Sequence, residues 1–226
     1  QSLEELFLNE NKLENIDSYS LFTNLTQVKI LYLNWNYLSS IKSKIFRSIH
    51  GDNSSFLIES LFLSQNFIEI IESNAFIHLR NLIKLYLQNN SIKILYQSIF
   101  YGMFSLKYLS LSTNYIVKIE KNAFYSLSYL EYLYLDDNLL ENIETYSFND
   151  LNKVINNKML LSHQYISNVD SYSFNGLLNV PILDLSFNNL VSIKNFTFHG
   201  MFTLLELILE FNFIREIDTN ALNGLF

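Results

Sequence analysis

Hydrophobic residues recur along this chain with a period close to 24 residues. Within each copy, apolar side chains occupy alternate positions over a short stretch, and an asparagine follows. One copy has Leu109 and Leu111 separated by a polar residue, then Asn114, and Phe124 ten residues later. Strict alternation predicts a short β-strand with one buried face. The rest of the copy must return to the start of the next strand, so successive strands are expected to lie parallel.

Nine copies of this pattern cover the chain. They begin at residues 3, 28, 58, 82, 106, 130, 156, 180 and 204. A single copy is too short to bury its apolar face, so its stability must come from contacts with its neighbours. We therefore predict a single solenoid domain over residues 1–226.

Two positions in each repeat have predicted structural roles. The position after the strand holds Asn in eight copies and Gln164 in the ninth. A buried amide there can satisfy backbone groups of its own repeat and of the adjacent one. A second position holds an aromatic ring that is expected to fill the convex side of a close-packed core. Its phenylalanines are Phe46, Phe76, Phe100, Phe124, Phe148, Phe174 and Phe198.

The motif L-x-x-L-x-L-x-x-N-x-L-x-x-I, followed by the phenylalanine, resembles the leucine-rich repeat family, in its 24-residue animal subclass. The resemblance implies an α/β solenoid shaped as a partial horseshoe. It places a parallel β-sheet on the concave face and short 3₁₀ or irregular turns on the convex face.

The same resemblance bears on function and location. Repeats of this subclass look like those in the ectodomains of Toll-like receptors, Slit-like guidance proteins and related matrix proteins, which implies an extracellular or cell-surface location. Such relatives usually carry cysteine-rich caps, whereas this chain has no cysteine. We expect a fragment that lacks both caps. The alternative is a cytoplasmic leucine-rich repeat scaffold or adaptor.

The pattern breaks at two internal places. Repeat 2 contains about six extra residues at His50–Phe56, whose Gly, Asp, Asn and Ser predict a loop. It is either a tolerated surface insertion or a loop that contacts a partner. At the junction of repeats 6 and 7, Asn156 occupies a leucine position and Gln164 an asparagine position, which predicts a local distortion of the solenoid.

Aromatic residues are concentrated on the predicted concave face. Between the two buried strand leucines, five of nine residues are aromatic, against 15% for the whole chain. Tyr108 and Tyr132 lie two residues earlier in their repeats, and Trp35 lies three residues later. Exposed Tyr and Trp on a rigid scaffold are typical of recognition surfaces. The predicted partner-binding residues are Tyr86, Tyr108, Tyr132, Tyr134, Asp136, Asp137, Phe7, Tyr32, Trp35 and Phe62.

The predicted concave face is also acidic. It carries ten acidic and four basic side chains, a net charge of −6, close to the −7 of the whole chain. A surface of one sign attracts a partner of the opposite sign. We expect a protein ligand with a basic patch and no nucleic-acid partner, because nucleic-acid binding needs clustered Lys and Arg.

No catalytic, cofactor or metal site is predicted, and we expect no enzyme activity. The sequence lacks phosphate-binding loops, hydrolase motifs and calcium loops. His163 falls beside Asp137 on the neighbouring strand, but two groups do not make a metal or catalytic site. No stretch is apolar enough for a membrane span. Four N-glycosylation sequons, about the number expected from composition, leave glycosylation open: Asn24, Asn53, Asn89 and Asn195.

Overall fold

The computed structural model describes residues 2–16, 27–43, 45–46 and 57–225. These residues form a solenoid of short parallel strands that resembles the leucine-rich repeat fold. The insertion at His50–Phe56 lies outside the described residues. The division into nine repeats within a single domain stays a prediction.

Nine of the strands form the concave face. They divide into a six-stranded sheet in the order β1-β2-β4-β6-β8-β10 and a three-stranded sheet in the order β12-β14-β16. All pairings are parallel, and equivalent residues pair in register, as Leu85 does with Leu109. The concave strands are β1 (Glu5–Phe7), β2 (Ile30–Tyr32), β4 (Ser60–Phe62), β6 (Lys84–Tyr86), β8 (Tyr108–Ser110), β10 (Tyr132–Tyr134), β12 (Met159–Leu160), β14 (Ile182–Asp184) and β16 (Glu206–Ile208).

A second set of two-residue strands follows the concave strands and pairs in four short sheets. Each of these sheets joins two neighbouring repeats, so the backbone links successive repeats at a second place. The strands are β3 (Ser40–Ile41), β5 (Ile70–Ile71), β7 (Ile94–Leu95), β9 (Lys118–Ile119), β11 (Asn142–Ile143), β13 (Asn168–Val169), β15 (Ser192–Ile193) and β17 (Glu216–Ile217).

The core is a continuous hydrophobic column between the two sets of strands. The strand leucines point inward, and the predicted phenylalanine spine closes the convex side. All seven of its rings are fully buried, and neighbouring rings such as Phe124 and Phe148 lie 6.0 Å apart at 10°. The predicted structural role of this position is therefore confirmed.

The convex face differs from the expected architecture. The described residues contain no helix of any kind, so the α/β description and the 3₁₀ turns are not supported. The segment after β5 forms separate turns, closed by bonds such as Ala75 N–H to the Glu72 carbonyl and Ile77 N–H to the Asn74 carbonyl. Asn74, the third residue of the first turn, has φ of 62°, the left-handed value that a type II turn requires there and that cannot continue a right-handed helix. Equivalent left-handed residues recur at Asn122 and Tyr146.

The pairing of the concave strands is interrupted between β10 and β12, at the junction where the sequence predicts a distortion. Asn156, which replaces a leucine, inserts its amide beside β10. Its Oδ1 accepts from Leu133 N–H at 2.9 Å, and its Nδ2 donates to the Leu133 carbonyl at 2.6 Å. One side chain thus satisfies both backbone groups of Leu133 in place of a neighbouring strand.

Candidate recognition surface

A ladder of aromatic rings runs along the concave six-stranded sheet. Phe7, Tyr32, Phe62 and Tyr86 stack in succession, with ring centroids 4.5–4.6 Å apart and interplanar angles of 6–11°. In-register parallel strands set this spacing, because adjacent strands lie about 4.8 Å apart. We call these four residues, together with Tyr108, Tyr132 and Tyr134, the concave ladder.

The stacking direction changes where the aromatic series is interrupted. Ser110 occupies the aromatic position in β8, and the neighbouring Tyr108 fills the space. The Tyr108 ring lies 4.9 Å from Tyr86, 5.3 Å from Tyr134 and 6.3 Å from Tyr132, tilted by about 40° in each case. Four of the predicted partner-binding residues therefore lie together in the structure, and we call them the tyrosine cluster: Tyr86, Tyr108, Tyr132 and Tyr134.

The stacked rings expose mainly their edges. A face at 4.5 Å from a parallel neighbour is covered, so solvent reaches the rims and the tyrosine hydroxyls. Burial raises the pKa of Tyr86 and of Tyr108, and the nearby Tyr134 adds to both effects. Both phenols therefore stay protonated at neutral pH, where each hydroxyl can donate and accept a hydrogen bond.

Three predicted residues lie beside the ladder rather than within it. Asp136 accepts a 2.6 Å bond from Ser112 Oγ, while Asp137 is exposed with φ of 53°. Trp35 also adopts a left-handed conformation, with φ of 56°, and has no ring contact with any described residue. It lies at the rim of the sheet, close to Tyr37 and Phe67.

Most of the basic charge on the concave face is paired. Lys29 meets Glu4 at 3.0 Å, and Lys107 meets Glu131 at 2.8 Å, which raises the pKa of each lysine. Exposed pairs of this kind stabilise little, but they offset the lysine charges locally. The remaining acidic residues have no ion pair with a described residue: Glu5, Glu10, Glu59, Asp136, Asp137, Glu206 and Glu210.

The C-terminal sheet differs from the ladder. At the aromatic position of β14, Asp184 is only 7% exposed. Its carboxylate forms an ion pair with Lys158 at 2.8 Å and accepts hydrogen bonds from the backbone N–H and the hydroxyl of Ser186. Burial acts to raise the pKa of Asp184, but the bonds from Lys158 and Ser186 together outweigh it, and the pKa lies below its usual value. Asp184 therefore belongs to the sheet structure and is a poor candidate for partner contact.

A second aromatic stack follows the rim of that sheet. His163, Phe187 and Phe211 lie in parallel, with successive centroids 4.3 Å apart. These residues share the left-handed turn position of Trp35 and Asp137. His163 stacks on Phe187 and makes no ion pair with Asp137. In the described part of the chain, no three His, Asp or Glu side chains converge as a metal site requires.

The sequence model of the family described as "Leucine rich repeat" matches residues 57–116 and 104–155. The matched part of the chain consists of leucine-rich repeats. Its repeats match those of the animal receptor subclass, as the sequence analysis inferred. No curated protein matches the sequence. Among the described residues of this leucine-rich repeat chain, none forms a helix with the length and apolarity needed to cross a bilayer.

The chain is also similar in fold to solved structures. TLR13, in its complex with ssRNA13, is 34% identical over 85% of this chain and 26% of its own, with a TM-score of 0.73. The leucine-rich repeat domain of APL1B is 20% identical over 98% of this chain and 59% of its own, with a TM-score of 0.73. Toll, in the Toll–Spatzle complex from Drosophila, is 21% identical over 98% of this chain and 32% of its own, with a TM-score of 0.72.

These similarities do not by themselves assign a function to the chain. The leucine-rich repeat chain spans between about a quarter and three fifths of the solved chains. At 20–21% identity, APL1B and Toll support the fold alone. Since one fold supports many functions, the function has to be argued from the surface.

Proposed function

We propose that this chain is a non-catalytic protein-recognition module that binds its partner on the concave face. The observation that carries the proposal is the concave ladder, a continuous row of exposed ring edges and hydroxyls on six paired strands. Rigid aromatic side chains lose little rotamer entropy on binding and supply a large contact area. Leucine-rich repeat proteins generally act as recognition modules without enzyme activity, which supports the proposal.

The partner carries a basic patch. On the concave face, seven acidic residues and one lysine, Lys84, have no ion pair with a described residue. A partner with Arg or Lys would meet two carboxylates without an ion pair to a described residue, Asp136 and Asp137, next to the tyrosine cluster. Such complementary charge mainly accelerates association and selects among partners.

A protein partner fits this surface better than RNA, although TLR13 binds ssRNA13. Single-stranded RNA binds when bases stack on open aromatic faces and phosphates meet basic side chains. In the parallel stack, Tyr32 and Phe62 have both ring faces covered by neighbouring rings, and most of the unpaired charge on the concave face is acidic. Both features oppose RNA binding and favour a basic protein.

The chain belongs to a cell-surface receptor or a secreted matrix protein in this proposal. The similarity to TLR13, at 34% identity, supports an extracellular position. The partner of TLR13 does not transfer to this chain, which spans only part of that protein.

Alanine at Tyr132 or Tyr134 tests the site. We expect each change to weaken binding by about 1–2 kcal/mol, roughly five- to thirtyfold, because each removes an aromatic anchor from the tyrosine cluster. Peptides selected against the wild-type chain from a random phage-displayed library serve as the probe. Their affinity for each purified variant is measured by biolayer interferometry.

Tyr125→Ala is the matched control, since Tyr125 is a tyrosine exposed on the convex side. Its affinity for the selected peptides should equal that of the wild type. Unchanged affinity in both concave variants would contradict the tyrosine cluster as the binding centre and shift attention to Phe7, Tyr32, Trp35 and Phe62.

Salt tests the electrostatic part separately. The selected peptides should be enriched in Arg and Lys, and their affinity should fall by about three- to tenfold as NaCl rises from about 0.05 M to about 0.5 M, because salt screens exposed charges. Double replacement of Asp136 and Asp137 by Asn should remove most of this salt dependence. An affinity that is equal at both salt concentrations would show that charge does not select the partner.

A further inference from the structure

A groove separate from the concave ladder runs along the flank of the solenoid, where each concave strand ends. It consists of two adjoining cavities of about 420 and 340 Å³, which share Asn66 and Phe67. These volumes lie within the range of about 300–1,000 Å³ typical of small-molecule sites. Trp35, Tyr37 and Tyr115 line the remaining walls together with polar residues. Of these aromatic residues, only Trp35 is among the partner-binding residues predicted from the sequence.

The aromatic rings of the groove present open faces. Trp35, Tyr37 and Phe67 are 56%, 49% and 58% exposed. The rings of Tyr37 and Phe67 lie 5.9 Å apart and tilt by 49°, so neither covers the other. In the parallel stack of the concave ladder, by contrast, Tyr32 and Phe62 each have a ring on both sides at 4.5–4.6 Å. An open face attracts C–H groups that carry partial positive charge, because the π-cloud is negative.

The groove also offers free polar groups and little charge. The side chains of Gln65, Asn89, Ser91 and Thr113 line it and make no hydrogen bond with any described residue. Glu10 is the only charged residue among those that line the two cavities. Amides and hydroxyls beside open rings suit a ligand with both C–H faces and hydroxyls, and the scarcity of charge suits a neutral one.

The floor of the groove is rigid. Asn66 Nδ2 donates to the carbonyls of Leu33 and Leu63, and its Oδ1 accepts from Leu38 N–H. Such bonds fix the turns that carry Trp35 and Phe67, so the walls are ordered before a ligand arrives. A preformed site loses less entropy on binding.

We infer that this flank groove binds a neutral oligosaccharide, with pyranose rings lying on Phe67 and its aromatic neighbours and sugar hydroxyls bonding the free amides and hydroxyls. Single-stranded nucleic acid would stack on the same faces but would bring phosphates to a chain of net charge −7. A proline-rich peptide would also use the rings, but it lacks the hydroxyls that would pair with Gln65, Asn89, Ser91 and Thr113.

Saturation-transfer NMR with cellohexaose, mannohexaose and chitohexaose tests the inference. The chain is produced in bacteria, so that the sequon Asn89-Asn90-Ser91, whose residues line the groove, carries no glycan. We expect at least one hexasaccharide to bind with a dissociation constant of about 1 mM or tighter. Phe67→Ala and Tyr37→Ala should each weaken that binding about five- to tenfold.

Tyr132→Ala is the matched control, because it removes an exposed aromatic residue from the concave face and should leave saccharide binding unchanged. Thermal unfolding of each variant checks that the exposed substitutions preserve the fold. The inference is wrong if none of the three saccharides binds, or if Phe67→Ala and Tyr37→Ala bind them as the wild type does. It is also wrong if decaproline or oligouridine binds at Phe67 and the saccharides do not.

Discussion

Replacement of Phe124 by alanine should lower the free energy of unfolding by about 3–5 kcal/mol. The ring is fully buried and lies between Phe100, at 6.1 Å, and Phe148, at 6.0 Å. Its removal takes away buried apolar area and leaves a cavity that the two flanking repeats cannot fill by local shifts, because each is held by strands on two sides. Urea unfolding followed by far-UV circular dichroism gives the change.

Tyr125→Ala is the adjacent control, because Tyr125 is 50% exposed and contacts the ring of Tyr101 at 6.2 Å. The substitution should lower the free energy of unfolding by less than about 1 kcal/mol. Fluorescence of Trp35, the single tryptophan, reports the N-terminal repeats. If coupling between repeats spans the sheet break, the fluorescence and dichroism midpoints will shift together. A loss of less than about 1.5 kcal/mol in Phe124→Ala would show that the convex side is loosely packed.

The regular parts of the solenoid could be predicted from the sequence because they depend on residue positions that recur in every repeat. Alternation fixes which strand residues face inward, and Leu85 pairs with Leu109 as the 24-residue spacing requires. The convex turns could not be predicted in the same way. Left-handed backbone is expected for Asn74 and Asn122, but Tyr146 takes the same conformation with no local signal. The turn type is therefore set by the stacked neighbours rather than by the residue.

The candidate site was predictable only in part. Period-two alternation places Tyr86 and Tyr134 on the concave face, but it does not specify the ring orientation. Orientation decides the chemistry, since parallel rings expose edges and tilted rings such as Tyr37 and Phe67 expose faces. Alternation also predicts an exposed Asp184, whereas bonds from Lys158 and Ser186 hold it in the sheet. Ring orientation and the burial of Asp184 each depend on contacts between residues of different repeats or different positions in a strand. The alternation along one strand does not show such contacts.

Asn156 shows how a single departure acts. The sequence marks it as a polar residue in a leucine position and predicts a distortion there. Its amide pairs with both backbone groups of Leu133, and the six-stranded concave sheet ends at that point. The aromatic series stops there too, because Leu160, Asp184 and Ile208 follow in the same column. The break therefore separates the proposed binding centre from the rim stack of His163, Phe187 and Phe211.

Replacement of Asn90 by alanine should lower the free energy of unfolding by about 2–4 kcal/mol, although it removes little apolar area. Its Nδ2 donates to the carbonyls of Leu63 and Leu87, each at 3.0 Å, and its Oδ1 accepts from Ile68 N–H at 2.9 Å. Without the amide, the buried Ile68 N–H loses its acceptor, and an unsatisfied buried group costs about 1–3 kcal/mol. Urea unfolding measures the loss.

The neighbouring Asn89 provides the control. Its side chain makes no hydrogen bond with a described residue, and its φ of 56° is tolerated by glycine. Asn89→Gly should therefore change the stability by less than about 1 kcal/mol. Asn90→Gln should restore part of the lost stability, because Gln164 occupies the equivalent position in its repeat. Its Oε1 accepts from Leu140 N–H, and its Nε2 donates to the Leu135 carbonyl. Equal losses in Asn89→Gly and Asn90→Ala would mean that the buried amides do not couple neighbouring repeats.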